Sequence, residues 1–195
     1  MMDQLGHGGN TMEYTSNRLL LREFTIEDFN LFYSVFSNEQ VMKYALMDNY
    51  QNAEQALPFW DNILNRKQEI NRTAYEFAVF LLSDNRFIGF SDIEVHWKNE
   101  FGGCGEIGYF LLPHAWSQGY ATEISKILLD IGFRDLGLHR ISARCNANNS
   151  RSESVMKKIG MVKEGEIRKD RFKDGHWDNE LLYGILKPEW ELFNT

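Results

Sequence analysis

Residues 106–123 read EIGYFLLPHAWSQGYATE, a passage that turns from an apolar run, through a proline and a glycine, into a helical pattern. Pro113 ends the run 106–112, because its ring cannot donate to a strand ladder. Residues 120–135 then place Ala121, Ile124, Leu128 and Ile131 on one helical face, with Glu123, Lys126, Asp130 and Arg134 off it, and Gly137 is the stop signal. A strand that feeds a helix through a glycine suits an anion site. The unpaired amides of the first turn point at a common spot, the helix dipole adds positive potential there, and Gly119 and Ala121 leave the backbone uncovered. The same spacing equally suits a tight turn lined with small packing residues, and alone it favours neither reading.

Working outward towards the amino terminus, RLLLRE (18–23) reads as a strand. Thr25-x-x-Asp28 is a capping box that opens a helix carrying Phe29, Phe32, Tyr33 and Phe36. Ser37-x-x-Gln40 predicts a second cap. Residues 53–70 set Leu57, Trp60, Ile63 and Leu64 at helical spacing, with Pro58 marking a start or a kink. Two β-rich runs, 75–82 and 87–95, flank the turn residues Ser83, Asp84 and Asn85 and predict an antiparallel hairpin. A polar connection, 97–105, follows them. Towards the carboxyl terminus, 139–146 alternates as a half-buried strand, 150–159 is a short helix closed by Gly160, and Asp174-Gly175 joins strands 162–173 and 177–186. The order βαα, βββ, α, β, α, ββ predicts one α/β (α+β) domain. Its sheet is mixed and mostly antiparallel, seven-stranded, and flanked by about four helices.

A chain of 195 residues, 43% hydrophobic, is long enough for one real core. Its 21 basic against 28 acidic residues leave a net charge of −7, which disfavours nucleic acid and would suit a cationic partner such as an amine, although ordinary solubility charge accounts for it more simply. Cys104 and Cys145 form no C-x-x-C pair and read as thiols in a reducing compartment. The start, MMDQLGHGGNT, has neither the basic nor the apolar region of a signal peptide, and no apolar stretch approaches the roughly 20 residues that span a bilayer. The expectation is a cytoplasmic protein without a membrane partner, with residues 1–12 a disordered lead-in and 13–195 the domain.

Competing motifs fail on context. Gly103-x-Gly105-x-x-Gly108 fits the dinucleotide fingerprint by pattern, but a polar connection precedes it and a strand follows it, so no helix terminus faces a pyrophosphate. Gly89-Phe90-Ser91 lacks the closing glycine of a nucleophile elbow. There is no Walker loop and no H-E-x-x-H, and His7, His96, His114, His139 and His176 have no metal-ligand spacing, so no metal is expected.

Four stretches in order, RLLLREFTIEDF (18–29), EIGYFLLPHAWSQGYATE (106–123), NNSRSESVMKKIGMVKEG (148–165) and DNELLYGILKPEW (178–190), resemble GNAT-fold N-acetyltransferases of the RimJ/RimL-like branch. The family's acyl-CoA loop has the pattern Gln/Arg-x-x-Gly-x-Gly/Ala. Trp116 stands at its first position here, a departure common in this branch, and Gly119 and Ala121 stay in register. The resemblance implies acetyl-CoA as acyl donor, its pyrophosphate on the amides of Ser117, Gln118, Gly119, Tyr120, Ala121 and Thr122. It also implies that the pantetheine arm runs beside the fourth strand near Leu111 and Leu112 and contacts Asn149, next to a bulge that splays that strand from its neighbour.

Direct attack of an amine on the thioester needs a base, donors for the oxyanion and a proton for the departing thiolate. Glu106, opening the fourth strand, is the candidate base, directly or through a water, with a plain edge carboxylate or an acceptor-binding charge as the alternative. A backbone N–H near Leu111 is the natural oxyanion donor. The tyrosine that many relatives use as acid falls at Met156, which cannot donate; Ser152, three residues after Asn149, is the candidate acid in its place, or else an ordinary first-turn hydroxyl. Glu94, His96, Trp97, Tyr109 and Tyr44 are candidate acceptor-pocket residues.

The expected acceptor is a protein N-terminal α-amine first, and second a small-molecule amine such as a polyamine, an amino-acid-like metabolite or an antibiotic. A non-catalytic acyl-CoA-binding module and a pure interaction module are the alternatives from other classes. Many relatives form homodimers, for which exposed aromatics of the last two strands offer an interface.

Overall fold

The computed structural model describes residues 11–193. Eight strands form one sheet: β1 (Glu13–Thr15), β2 (Leu19–Glu23), β3 (Ala74–Leu81), β4 (Phe87–Asn99), β5 (Gly102–Leu111), β6 (Arg140–Asn146), β7 (Val162–Lys173) and β8 (His176–Leu186). Their spatial order is β1-β2-β3-β4-β5-β6-β8-β7, and every neighbouring pair is antiparallel except β5 and β6. Six α-helices accompany them: α1 (Phe29–Phe36), α2 (Glu39–Met42), α3 (Ala53–Arg66), α4 (Tyr120–Asp130), α5 (Ser150–Lys158) and α6 (Lys187–Phe193).

The layers follow from alternation along the strands. In β3, Phe77, Val79 and Leu81 enter one core while Ala78 and Phe80 enter the other, so the strand is apolar from Phe77 to Leu81 because both its faces are covered. Ile124 and Leu128 of α4, Met156 of α5 and Trp190 of α6 pack on the first face. The second is an aromatic layer under α1 and α3, where Phe24 and Phe36 both meet Phe90 and Phe32 packs against Phe36 and Trp60 at ring-centroid distances of 4.7–5.8 Å.

The sheet has one strand more than the seven expected. β1 is three residues long, too short to show a period, and is paired with β2 at Tyr14↔Leu21. Residues 1–10 of the expected lead-in lie outside the described residues; Met12 exchanges bonds with Glu23, its N–H donating to Oε2 at 2.9 Å. The helices also exceed the four expected. α2 is a single turn capped by Asn38 rather than Ser37, and α6 starts with Pro188 in its first turn, where a missing N–H costs nothing. α3 runs through Pro58. The polar segment 97–105 is the end of the β4–β5 hairpin and not a loop: pairing continues to Asn99↔Gly102, and its side chains at 96–101 are exposed, which removes any apolar alternation. The long helix expected at 120–135 ends its α ladder at Asp130 and finishes as a π turn, with the Leu136 N–H donating to Ile131 O at 2.9 Å.

One feature of the sheet positions the site. β5 and β6 pair in parallel at only three positions, Cys104↔Arg140, Gly105↔Ile141 and Glu106↔Ser142. β5 continues to Leu111 on the β4 side while its β6 side stands open from residue 107 onward.

Candidate active site

α4 begins where β5 ends, after the 3-10 turn Pro113–Ala115. Ser117 (φ 61°) and Gly119 (φ 83°) are both left-handed, and this alternation turns successive amides to one side. The N–H groups of residues 117–122 donate to no acceptor among the described residues; the ladder starts at Glu123, whose N–H meets Gly119 O at 3.2 Å. Six free amides at a helix start can hold an anion. Trp116 fixes the loop to the sheet, its indole Nε1–H donating to Leu111 O at 2.6 Å. Leu112 is also engaged internally, its N–H on Ile88 O and its carbonyl accepting from Ala115, each at 2.9 Å.

An acidic side chain in that first turn would oppose an anion. Glu123 is drawn aside by Ser16 (Oγ–Oε1 2.6 Å) and Arg18 (Nε–Oε2 2.8 Å). Burial pushes its carboxyl up, but these partners win and keep it below its usual range. The Arg18 guanidinium lies 4.6 Å over the Tyr120 ring and donates to Gln118 O at 3.1 Å, so it organises the loop from outside. Arg151 lies 5.6 Å over the Trp116 ring on the other flank.

α5 faces the open side of β5. Asn149 caps it, accepting the Ser152 N–H at 3.2 Å. Ser152 lies near the Tyr109 phenol of β5 and the Cys145 thiol of β6. Burial raises the Tyr109 phenol, and raises the Cys145 thiol to about 11, with Ser152 opposing both shifts. The structure thus joins Ser152 to Tyr109, which the sequence reading had placed only in an acceptor pocket. Met156 is buried in the core.

The opposite face, beyond the end of the aromatic layer, carries carboxylates. The rows Glu76↔Asp92↔Gly108 and Glu94↔Glu106↔Ser142 lie side by side on it. Glu76 is buried and ion-paired to Arg66 at 3.0 Å. Glu106 receives Arg144 Nε on both oxygens, at 3.1 and 3.0 Å. Asp92 and Glu94 have no hydrogen-bonding or ion-pair partner among the described residues. A Cβ on Gly108 would lie 2.6 Å from Asp92 Oδ1, so only glycine lets that carboxylate rest over β5 beside the opening. Burial, then the charges of Glu76, Glu94 and Glu106, push Asp92 from 3.8 to about 7, with Arg66 pulling the other way. Sequence reading missed Asp92 because it sits in an apolar run, GFSDIEV; the glycine opposite it is visible only once the register is known.

The β7–β8 arm closes the far side. Arg171 pairs with the buried Glu180 and donates to Tyr44 O at 3.1 Å, and the Lys173 ammonium donates to Met42 O at 2.7 Å and Met47 O at 2.9 Å. Tyr44 is therefore held by its backbone. His96 and Trp97 are exposed near the hairpin tip. Phe172 and Trp177, exposed, meet in a tilted contact at 5.1 Å. Among the described residues no cluster of side chains could hold a metal, and no helix is long and apolar enough to cross a membrane.

Residues 18–162 match the family model described as acetyltransferase (GNAT) domain. The uncharacterized N-acetyltransferase YnaD of Bacillus subtilis (strain 168) is 36% identical over 180 residues, covering 92% of this chain and 99% of YnaD. Among solved structures, a GNAT-family acetyltransferase from Bacillus anthracis superposes with a TM-score of 0.74 at 30% identity, covering 91% of this chain and 99% of the other. The spermidine N-acetyltransferase of Vibrio cholerae in complex with CoA and spermine has a TM-score of 0.78 over 90% of this chain and 99% of its own, and at 19% identity that likeness is one of fold.

Proposed function

Because the chain belongs to the acetyltransferase (GNAT) family and is an acetyl-CoA-dependent N-acetyltransferase, we propose that its acceptor is a primary amine carried by a small polycation. The observation that supports this is the pair of uncompensated carboxylates, Asp92 and Glu94, beside the opening between β5 and β6. Glu76 and Glu106 have guanidinium partners, so the surplus negative charge at this point is local and matches an acceptor with more than one ammonium. A fold relative that binds CoA and spermine together is compatible with it. A protein N-terminal α-amine, the first expectation from sequence, brings a single ammonium and ranks second. Trp116 in the loop and Ser152 after Asn149 support the RimJ/RimL-like branch.

The residues present fit acetyl-CoA. The free amides of Ser117, Gln118, Gly119, Tyr120, Ala121 and Thr122 would take the pyrophosphate. The open flank of β5 would take the pantetheine as an added strand. With the Leu111 carbonyl and both Leu112 groups engaged, that pairing falls chiefly to residues 107–110, and Leu111 and Leu112 contribute apolar contact. Asn149 borders the same opening. Bound there, acetyl-CoA supplies the electrophilic thioester. Ser152, backed by Tyr109, is the hydroxyl available to the departing sulfur.

Titration calorimetry with acetyl-CoA, with CoA and ADP as controls, followed by thiol release across an amine panel, tests this reading. Micromolar acetyl-CoA binding and the fastest release with spermidine or spermine are expected. Faster release with an alanine-led peptide than with any polyamine would overturn the acceptor assignment.

A further inference from the structure

We infer that Asp92 of β4, and not Glu106, is the general base that takes the proton from the acceptor ammonium. This rests on the N-acetyl-transfer reading above. Glu106 is committed to Arg144, whose Nε lies 3.1 and 3.0 Å from its two oxygens, and Arg144 in turn faces the buried Glu180 at 3.7 Å. A carboxylate clasped by a guanidinium is a weak proton acceptor. Asp92 has no such partner, and it lies over Gly108, two residues past the last β5–β6 pair, where the open flank begins. The groups that face it are Glu76 from β3, Glu94 from its own strand, Glu106 from β5 and Arg66 from α3. Burial, and after it three carboxylates against one guanidinium, moves Asp92 to about 7, where a base can both hold and release a proton at neutral pH. Gly108, a member of the discarded glycine fingerprint, thereby acquires a use: it is the space in which the base lies.

The step balances. The ammonium gives one proton to the Asp92 carboxylate, and the freed lone pair forms the N–C bond at the thioester carbonyl. Collapse breaks the C–S bond, the nitrogen loses its second proton, and the thiolate takes one by way of Ser152 or water. The products are the N-acetylated amine, CoA thiol and one released proton.

The test uses the full chain with acetyl-CoA and whichever of spermidine, spermine, lysine amide or an alanine-led tetrapeptide releases thiol fastest. Asp92→Asn is expected to lower kcat/KM at pH 7 at least 100-fold with acetyl-CoA affinity retained, and to abolish the acid limb near pH 7. Glu106→Gln should keep that limb. Gly108→Ala, which displaces the Asp92 carboxylate without changing charge, should lower kcat at least tenfold. Retention of the limb and of kcat/KM within threefold in Asp92→Asn, or loss of the limb in Glu106→Gln, would overturn the assignment. A wild type that binds acetyl-CoA yet releases no thiol with any amine would instead overturn the transfer reading, and the base with it.

Discussion

Arg18 and Glu123 lie 105 residues apart in sequence and meet at 2.8 Å behind the phosphate loop, the guanidinium turning the only carboxylate of the first α4 turn away from the free amides. The Arg18 side chain is about half exposed, so the ion pair itself contributes under about 1 kcal/mol to stability. Its effect is on the loop. Arg18→Ala releases Glu123 towards the anion and should weaken acetyl-CoA roughly tenfold by calorimetry, equivalent to about 1.4 kcal/mol. Adding Glu123→Gln should recover most of that loss; no recovery would show that Arg18 acts by direct contact with the ligand.

The base has a cost in stability with a definite sign. Asp92 titrates near 7 in the folded chain against 3.8 unfolded, so between those values the native state binds the extra proton. Its contribution is fully present below about pH 4 and is lost as pH rises through 7. Asp92→Asn should therefore match wild type in urea denaturation at pH 4 and exceed it at pH 8. At 1.36 kcal/mol per unit the full shift is about 4 kcal/mol, and water at the partly exposed carboxylate reduces the expected gain to roughly 1–2. The variant that loses activity should be the more stable one.

Trp116→Phe keeps an aromatic side chain but removes the pyrrole ring whose N–H meets Leu111 O. A carbonyl at a strand end loses its partner, for about 1–2 kcal/mol, and the melting temperature should fall by roughly 2–6 °C. Calorimetry should show weaker acetyl-CoA binding as well. Unchanged melting would mean that the indole bond does not hold the loop.

Lys173→Met removes the ammonium that gathers the carbonyls of Met42 and Met47, while its stem still packs. The segment between α2 and α3 loses its tie to the β7–β8 arm. The KM for the amine should rise about three- to tenfold with the acetyl-CoA Kd changed by less than twofold; an equal change in both would place this segment on the donor side.

What could be read from sequence was local in range. The loop after Pro113, the alternation of 139–146 and the Asp174-Gly175 turn each carry their signal within a dozen residues, and the structure places strands and a helix there. The three-residue β1 was invisible because pairing with β2, not its own pattern, makes it a strand. The site divided the same way. Glu106, Ser152 and the amides 117–122 were named from neighbouring motif residues, whereas Asp92, Arg144 and Arg18 gain their meaning from register and from partners 105 positions away in one case. An isolated aspartate between a serine and an isoleucine gives no hint that a glycine sixteen positions on will sit beneath it.

Among the described residues, strand pairing joins the β1–β5 part of the sheet to the β6–β8 part at three register positions alone. In mechanical terms the sheet is two leaves on a short hinge, and a donor arm lying along the open flank of β5 would be a splint between them. Substrate would then become a structural member of the protein that consumes it. Hydrogen exchange should show this directly: acetyl-CoA should slow the amides of residues 107–110 and of 143–146 across the gap, while those of β3 stay as they were. Each turnover would end with the splint cut to CoA, still able to brace the leaves until it departs.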